Sequence, residues 1–376
     1  VIVGAVRTAI AKANGALKDV RPDDLAGLVL AELVNRTGVE PSELDDVMIG
    51  CASPVDQQGG NIGRMAGLIA GFPYEVPGVT INRYCGSSLE AVNSAAHAIM
   101  AGQGELIIAG GVESMTRVPM GADISSFSEK ILDRFTPAVM GATAENVAEK
   151  YGVSREDQDE FALWSHQKAV TATRQGRFRQ EILPIEIAAE DSTTTFDTDE
   201  RPRPDTSLEK LAKLPPVFKP GGTVTAGNAS GINDGSAAVL LASKEKVKEL
   251  GLELLATYKG SAVAGVHPDY MGLGPVPATR KALSRVGLTV DDMDVVELHE
   301  AFAATALHVT RELGIERDKL NPNGGAVALG HPLGCSGARQ MTTLLYEMER
   351  RNAQYGLSAM CIGFGQGIAT IVEREV

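Results

Sequence analysis

The feature that most limits what this chain can fold into is a repeat: its two ends carry the same pattern at a nearly constant shift. The stretch from Gly38 to Val47 (GVEPSELDDV) lies over Gly287 to Val296 (GLTVDDMDVV). Each follows a helix-like segment and leads into a strand-like one. Further on, Cys85-Gly86-Ser87 falls close to Cys335-Ser336-Gly337, and each is followed by a helix, a strand and then glycines (Gly110-Gly111; Gly363, Gly365, Gly367). Self-similarity in matched order marks a duplicated core. Strands alternating with helices at both ends make each half an α/β unit. Helix-turn-strand units also recur by chance, but two coincidences in the same order argue against that.

The middle of the chain reads differently. A Ser- and Phe-containing loop, amphipathic helical sequence from Ala142 to Arg174 and a Thr-, Asp- and Pro-rich stretch running on to Pro220 form an inserted lobe. The expected division is therefore an N-terminal half at 1–116, an inserted loop domain at 117–243 and a C-terminal half at 244–376.

The net charge of −13 is spread without a basic block. This argues against a nucleic-acid surface or a polybasic membrane patch. No apolar run approaches the roughly 18 residues of a spanning helix, and Ala237 to Ala242 is of core-strand length. Four cysteines in 376 residues point to a reducing compartment, and a cytoplasmic location is the default expectation.

Cys85 ends the extended segment Val79 to Tyr84 and precedes a helical run from Leu89 to Met100. Unpaired amides and the positive end of the helix dipole stabilise a thiolate at such a turn. Lowering a thiol pKa from about 8.5 to about 7 is worth roughly 2 kcal/mol, enough for a usable nucleophile. A buried spacer cysteine is the duller reading, so a base has to be found. His331 lies between Gly324-Gly325-Ala326-Val327-Ala328-Leu329-Gly330 and Pro332-Leu333-Gly334, and these glycines let backbone pack closely around one imidazole. His299-Glu300-Ala301-Phe302 follows the strand-like Val295 to Leu298. It is no zinc-protease box, because Ala303 stands four after His299, and no metal site is assigned. A polar pair at a strand end suits a ligand site in an α/β fold. Cys361-Ile362-Gly363-Phe364-Gly365-Gln366-Gly367 is close to a dinucleotide fingerprint but fails it, with Ile368 in the place of the third glycine. What remains is a cysteine at a strand end, beside amides able to bind a developing oxyanion.

Together these segments resemble the thiolase family along nearly the whole chain. Asn82 to Ser88 is similar to the family's nucleophile segment, and Gly330 to Gly337 to its histidine signature. Cys361-Ile362-Gly363 is similar to the second-cysteine motif, and Thr225 to Gly231 to the pantetheine-contacting segment. The His299 segment makes a fifth motif in family order. The resemblance implies a five-layer αβαβα body built from the duplicated halves, with the inserted lobe over coenzyme A. It implies that Cys85 takes the acyl group, His331 activates it and Cys361 is the acid/base at the acetyl-CoA carbanion. One oxyanion site would use His331 and a water held by His299, the other the amides of Cys85 and Gly363. Ser230 would contact the pantetheine arm, and Met140, Met271 and Phe302 would line the acyl site. Cys335 is expected to be packing. Coenzyme A enters as co-substrate, with no tightly bound cofactor. The implied partners are acyl-CoA and CoA, a homodimer or homotetramer, and a β-oxidation partner enzyme.

Three departures bear on this. His299 stands where many members have Asn. Val139 precedes Met140 where short-chain members carry a histidine, which leans toward a wider acyl range. Pro215 replaces an arginine near CoA, leaving Lys210, Lys213 and Lys219 as candidate phosphate contacts. The expected activity is thiolytic cleavage of 3-ketoacyl-CoA through an acyl-Cys85 intermediate. The nearest alternative is acetoacetyl-CoA thiolase. A decarboxylating ketoacyl synthase and a non-catalytic acyl-CoA-binding scaffold are more remote.

Overall fold

The computed structural model describes residues 1–135, 139–189 and 192–375. The N-terminal half runs β1 (Ile2–Thr8), α1 (Pro22–Thr37), β2 (Asp46–Gly50), α2 (Ile62–Ile69), β3 (Val79–Ile81), α3 (Ser87–Met100) and β4 (Leu106–Ser114). Helices α4 (Met140–Tyr151) and α5 (Arg155–Arg174) follow, then β5 (Asn233–Ala242). The C-terminal half runs β6 (Thr257–Gly265), α6 (Pro275–Val286), β7 (Val295–Leu298), α7 (Ala303–Leu313), α8 (Ser336–Arg351), β8 (Tyr355–Ile362) and β9 (Gln366–Glu373).

The first sheet is ordered β3-β2-β4-β5-β1, the second β7-β8-β9-β6. In both, the corresponding pairs are parallel (β2 with β4, β7 with β8) and then antiparallel (β4 with β5, β8 with β9). The repeat in the sequence is thus a repeat of topology. One expectation is corrected. The run Asn233–Ala242, assigned to the inserted lobe ending at 243, is a central strand of the first sheet, paired with β1 and β4. Ten consecutive buried residues need both faces covered, which a peripheral lobe does not provide.

Alternation along the strands sorts the layers. Leu106, Ile108 and Val112 of β4 face α1 with Leu25, Val29 and Leu33, while Ile107 and Ala109 face the other way, toward α3 and α8. Leu89 and Val92 of α3 and Met341 and Leu344 of α8 pack between Ile107 and Val239 of one sheet and Met360 and Ile368 of the other. Val276 and Ala282 of α6 and Val309 of α7 close the far side against Leu357 and Ile371. The result is five layers, αβαβα. Helix α8 is buried almost all round, so its polar residues need internal partners. Thr343 donates to Glu181, and Gln340 to the Glu297 carbonyl.

Candidate active site

The duplication brings the site together, because both middle-layer helices begin at the same place. Cys85 precedes α3, and the His331 loop precedes α8; His299 and Cys361 sit at the ends of the parallel neighbours β7 and β8, where the His299 amide donates to the Ala359 carbonyl (2.8 Å).

Cys85 is carried on a strained elbow. Tyr84 before it has φ +46°, a left-handed conformation that costs a non-glycine residue roughly 1–2 kcal/mol. The surroundings hold it there: Asn82 Oδ1 accepts from the Tyr84 amide (2.9 Å), and Ser87 Oγ donates to the Tyr84 carbonyl (2.6 Å). The thiol packs on Ala52, Met115 and Leu333, and the amides of Gly363 and of Cys85 itself point at its sulfur. The expectation of a low thiol pKa is reversed for the resting protein. Burial outweighs those two amides and pushes Cys85 up to about 11, so the nucleophile waits as a thiol and depends on a base.

His331 is placed to be that base. Gly330 before it has φ +106°, and the His331 amide donates to Asn233 Oδ1 (3.0 Å). A side chain at Gly330 would run into Asn233. His331 Nδ1 lies 2.6 Å from Ser336 Oγ, and that hydroxyl gives its one proton to the Pro332 carbonyl (2.8 Å). A carbonyl only accepts, so Ser336 must accept from Nδ1–H. This assigns the tautomer and leaves Nε2 as a lone-pair acceptor. Burial, with Arg339 nearby, lowers the His331 pKa to about 3, so the ring is neutral at rest.

His299 packs its ring on His331, with centroids 4.1 Å apart. Both His299 nitrogens and His331 Nε2 are buried and make no hydrogen bond. Burial first, then the neighbouring His331 and Arg339, which disfavour a second positive charge beside them, hold His299 well below its usual pKa. Gln340 is nearby, with its own Oε1 unpartnered, but closes no hydrogen bond to the ring. Three unpaired ring nitrogens in one buried place are a polar recess beside an otherwise apolar wall.

Cys361 is buried, and burial, then Cys85, pushes its thiol pKa far up. It shares one apolar cluster with Met140, Met271 and Phe302, joined by Phe218, Val224 and Ala144. Gly363 begins the tight hairpin Gly363-Phe364-Gly365 between β8 and β9, with φ +58° at Phe364 and +80° at Gly365. That antiparallel hairpin is no dinucleotide-binding turn. Ser230 is half-buried at the edge of this cluster, its amide donating to the Ala301 carbonyl (2.9 Å). Cys335 is buried among Ile10, Ala237 and Ala338 as packing. Lys210, Lys213 and Lys219 are each bound to a carboxylate, of Asp205, Glu209 and Glu149.

Two residues with no role in the sequence reading organise the site. Ser336 lies inside the histidine signature, but nothing in one dimension shows its hydroxyl reaching back to the ring. Glu113, at the end of β4, is fully buried. It accepts from the amides of Ala52 (2.8 Å), Ser53 (3.2 Å) and Gly334 (2.8 Å) and from Gln58 Nε2 (2.6 Å). It thereby ties the His331 loop to the Ala52 loop, whose carbonyl accepts from Asn82 of the nucleophile segment (3.1 Å). The one sequence signal for Glu113 is a charged residue closing an otherwise apolar strand.

A thiol nucleophile with a fixed imidazole base, a second thiol and an amide pair at the nucleophile defines a cysteine-dependent acyl-transfer enzyme. Residues 1–245 match the thiolase N-terminal domain and residues 252–374 the thiolase C-terminal domain. The chain is 52% identical over 99% of its length to the beta-ketoadipyl-CoA thiolase of Pseudomonas knackmussii, covering 98% of that protein. It is 50% identical over its full length to the 3-ketoacyl-CoA thiolase of Vibrio vulnificus, covering 99% of it. The crystal structure of the Bacillus anthracis acetyl-CoA acetyltransferase superposes with a TM-score of 0.93 at 44% identity, over 99% of this chain and 98% of that one. The chain belongs to the thiolase family.

Proposed function

We propose that this thiolase cleaves 3-ketoacyl-CoA with free CoA, giving acetyl-CoA and an acyl-CoA two carbons shorter. The observation that carries the reading is the second thiol: Cys361 is close enough to Cys85 for the two thiols to influence each other's ionisation, and it lies in the apolar cluster with Met140, Met271 and Phe302. A decarboxylating synthase has no use for that second acid.

In this reading His331 Nε2 takes the Cys85 proton, and the sulfur attacks the 3-keto carbon. The bond between C2 and C3 breaks, its electron pair staying on C2 and spreading onto the thioester oxygen. The Nε2–H that His331 has just gained and the N–H of neutral His299 are suited to donate to that oxygen, directly or through a water, and the amides of Cys85 and Gly363 to the oxyanion on the attacked carbon. The Cys361 thiol, kept protonated by burial, gives its proton to C2, and acetyl-CoA leaves. CoA then restores that proton to Cys361 and attacks the acyl group as thiolate. Cys85 leaves and recovers its proton from His331, closing a ping-pong cycle.

The acyl end points to unsubstituted chains. Met140, Met271, Phe302 and Phe218 present methyl, thioether and ring surface, which favours an aliphatic tail over one ending in a carboxylate. Ser230 at the cluster edge suits the pantetheine arm. We also infer a homo-oligomer, supported by exposed Met65, Leu68 and Ile69 on α2 beside the edge strand β3. No helix of the described residues is long and apolar enough to cross a membrane, and four unpaired cysteines support a reducing, cytoplasmic setting. The test is thiolysis of 3-ketoacyl-CoA from four carbons to long chains, with 3-ketoadipyl-CoA alongside and Cys85→Ser as control. Activity across several aliphatic lengths, lost in the control, is expected. Activity on four carbons alone would make it an acetoacetyl-CoA thiolase, preference for 3-ketoadipyl-CoA would overturn the acyl assignment, and no thiolysis at all would overturn the mechanism.

A further inference from the structure

Away from the catalytic residues, α5, the segment after α7 and the end of α8 enclose a depression of about 450 Å³ lined by Trp164, Lys168, Arg317, Asp318 and Arg351, with Leu320 in its floor. We propose that it binds a small phosphorylated anion at a site separate from the acyl-CoA site. In a chain with 48 acidic and 35 basic residues, unpaired cations are not expected to gather. Here they do. Lys168 Nζ donates only to the Leu320 carbonyl (3.0 Å), and it and Arg317 make no ion pair among the described residues. Arg351 shares the single carboxylate of Glu347 with Arg350. Asp318 is the only carboxylate on the wall, and it is exposed.

Grouped like charges repel, and the fold holds them at a cost that an anion relieves. At Lys168 burial lowers the pKa to about 7; Glu300 and Glu297 behind it pull the other way, and Arg317 and Arg351 add a smaller push in the same direction as burial. The aromatic ring narrows the ligand class. Lys168 Nζ lies 3.0 Å and the Arg317 guanidinium 4.7 Å from the Trp164 ring centroid, so cations already occupy the ring. A ring already engaged by two cations favours a ligand that those cations bind over one that must displace them to stack. Recognition falls to the phosphate groups, for which a planar guanidinium and a lysine are a suitable donor set.

Trp164 is the chain's one tryptophan, so its fluorescence reads this depression directly. The experiment titrates pyrophosphate into the full-length enzyme at constant ionic strength, in saturating CoA so that the acyl-CoA site is occupied. A saturable change in emission is expected. In Arg317→Glu, whose side chain is exposed and outside the catalytic machinery, the apparent affinity should fall by about tenfold or more while thiolysis without pyrophosphate is unchanged. No saturable change, a response that vanishes once CoA is present, or an unaltered titration in Arg317→Glu would each overturn the proposal.

Discussion

Replacing Ser336 by alanine removes one oxygen atom and tests the logic of the base. In the native arrangement that oxygen accepts from His331 Nδ1–H at 2.6 Å while donating to Pro332 at 2.8 Å. Without it, a buried ring N–H has no partner, at a cost of about 1–3 kcal/mol. The imidazole can avoid that cost by moving its proton to Nε2, which removes the lone pair that should deprotonate Cys85. In the transition state the ring is an imidazolium, and the missing bond would be charge-assisted, which favours the upper end of that range. At about 1.4 kcal/mol per factor of ten, kcat/KM should fall roughly 5- to 150-fold. Thiolysis of acetoacetyl-CoA measures this, and the rate of Cys85 alkylation by iodoacetamide at pH 7 measures base action with no substrate present. Both should fall by a similar factor, and Ser336→Thr, which keeps the hydroxyl, should recover most of it. If alkylation and thiolysis in Ser336→Ala both stay within twofold of the parent, Ser336 does not set the tautomer and the assignment of Nε2 as base loses its support.

Two further expectations follow from buried polar groups. His299 is held neutral, with its folded pKa below the unfolded value of about 6.5, so its contribution to stability is present above pH 6.5 and lost as pH falls below it. His299→Asn removes that proton uptake, so its stability relative to the parent should shift in the variant's favour by up to about 1.4 kcal/mol per pH unit below pH 6. Thermal melts of both proteins from pH 8 to 4.5 check this, and a Tm difference that does not change with pH would refute it. Glu113→Gln puts an NH2 group among four donors, leaving at least one pair of donors facing each other in a buried site at about 1–3 kcal/mol. A lower Tm and about a tenfold drop in kcat are expected, and an unchanged kcat would show that the Glu113 bracket does not position the His331 loop.

Much of this protein was legible in one dimension because the relevant signals are local. The repeat is carried by short helix-turn-strand segments, and the structure returns it as two sheets with the same sequence of parallel and antiparallel pairs. Cys85 and His331 sit at glycine-containing turns, and Cys361 lies at the end of a strand just before one, so that their backbone needs are written in their neighbours. Such turns follow from steric limits on φ and ψ, which adjacent residues set. The status of Asn233–Ala242 was not legible, since an apolar run of that length shows a buried strand without showing which strands cover it.

The sequence by itself determined the duplicated α/β core and the identity of the reacting groups. Only the tertiary structure decided their protonation. The amides at the start of the following helix donate to the Arg83 and Tyr84 carbonyls, those of Cys85 and Gly363 point at the sulfur instead, and burial by Ala52, Met115 and Leu333 from distant parts of the chain outweighs these two and keeps the thiol protonated. The same holds for His331, whose tautomer depends on where one serine hydroxyl sends its proton, and for Glu113, whose four donors come from three separate segments. Desolvation and hydrogen bonding depend on everything packed around a group, and those neighbours are chosen by the fold rather than by the residues adjacent in sequence.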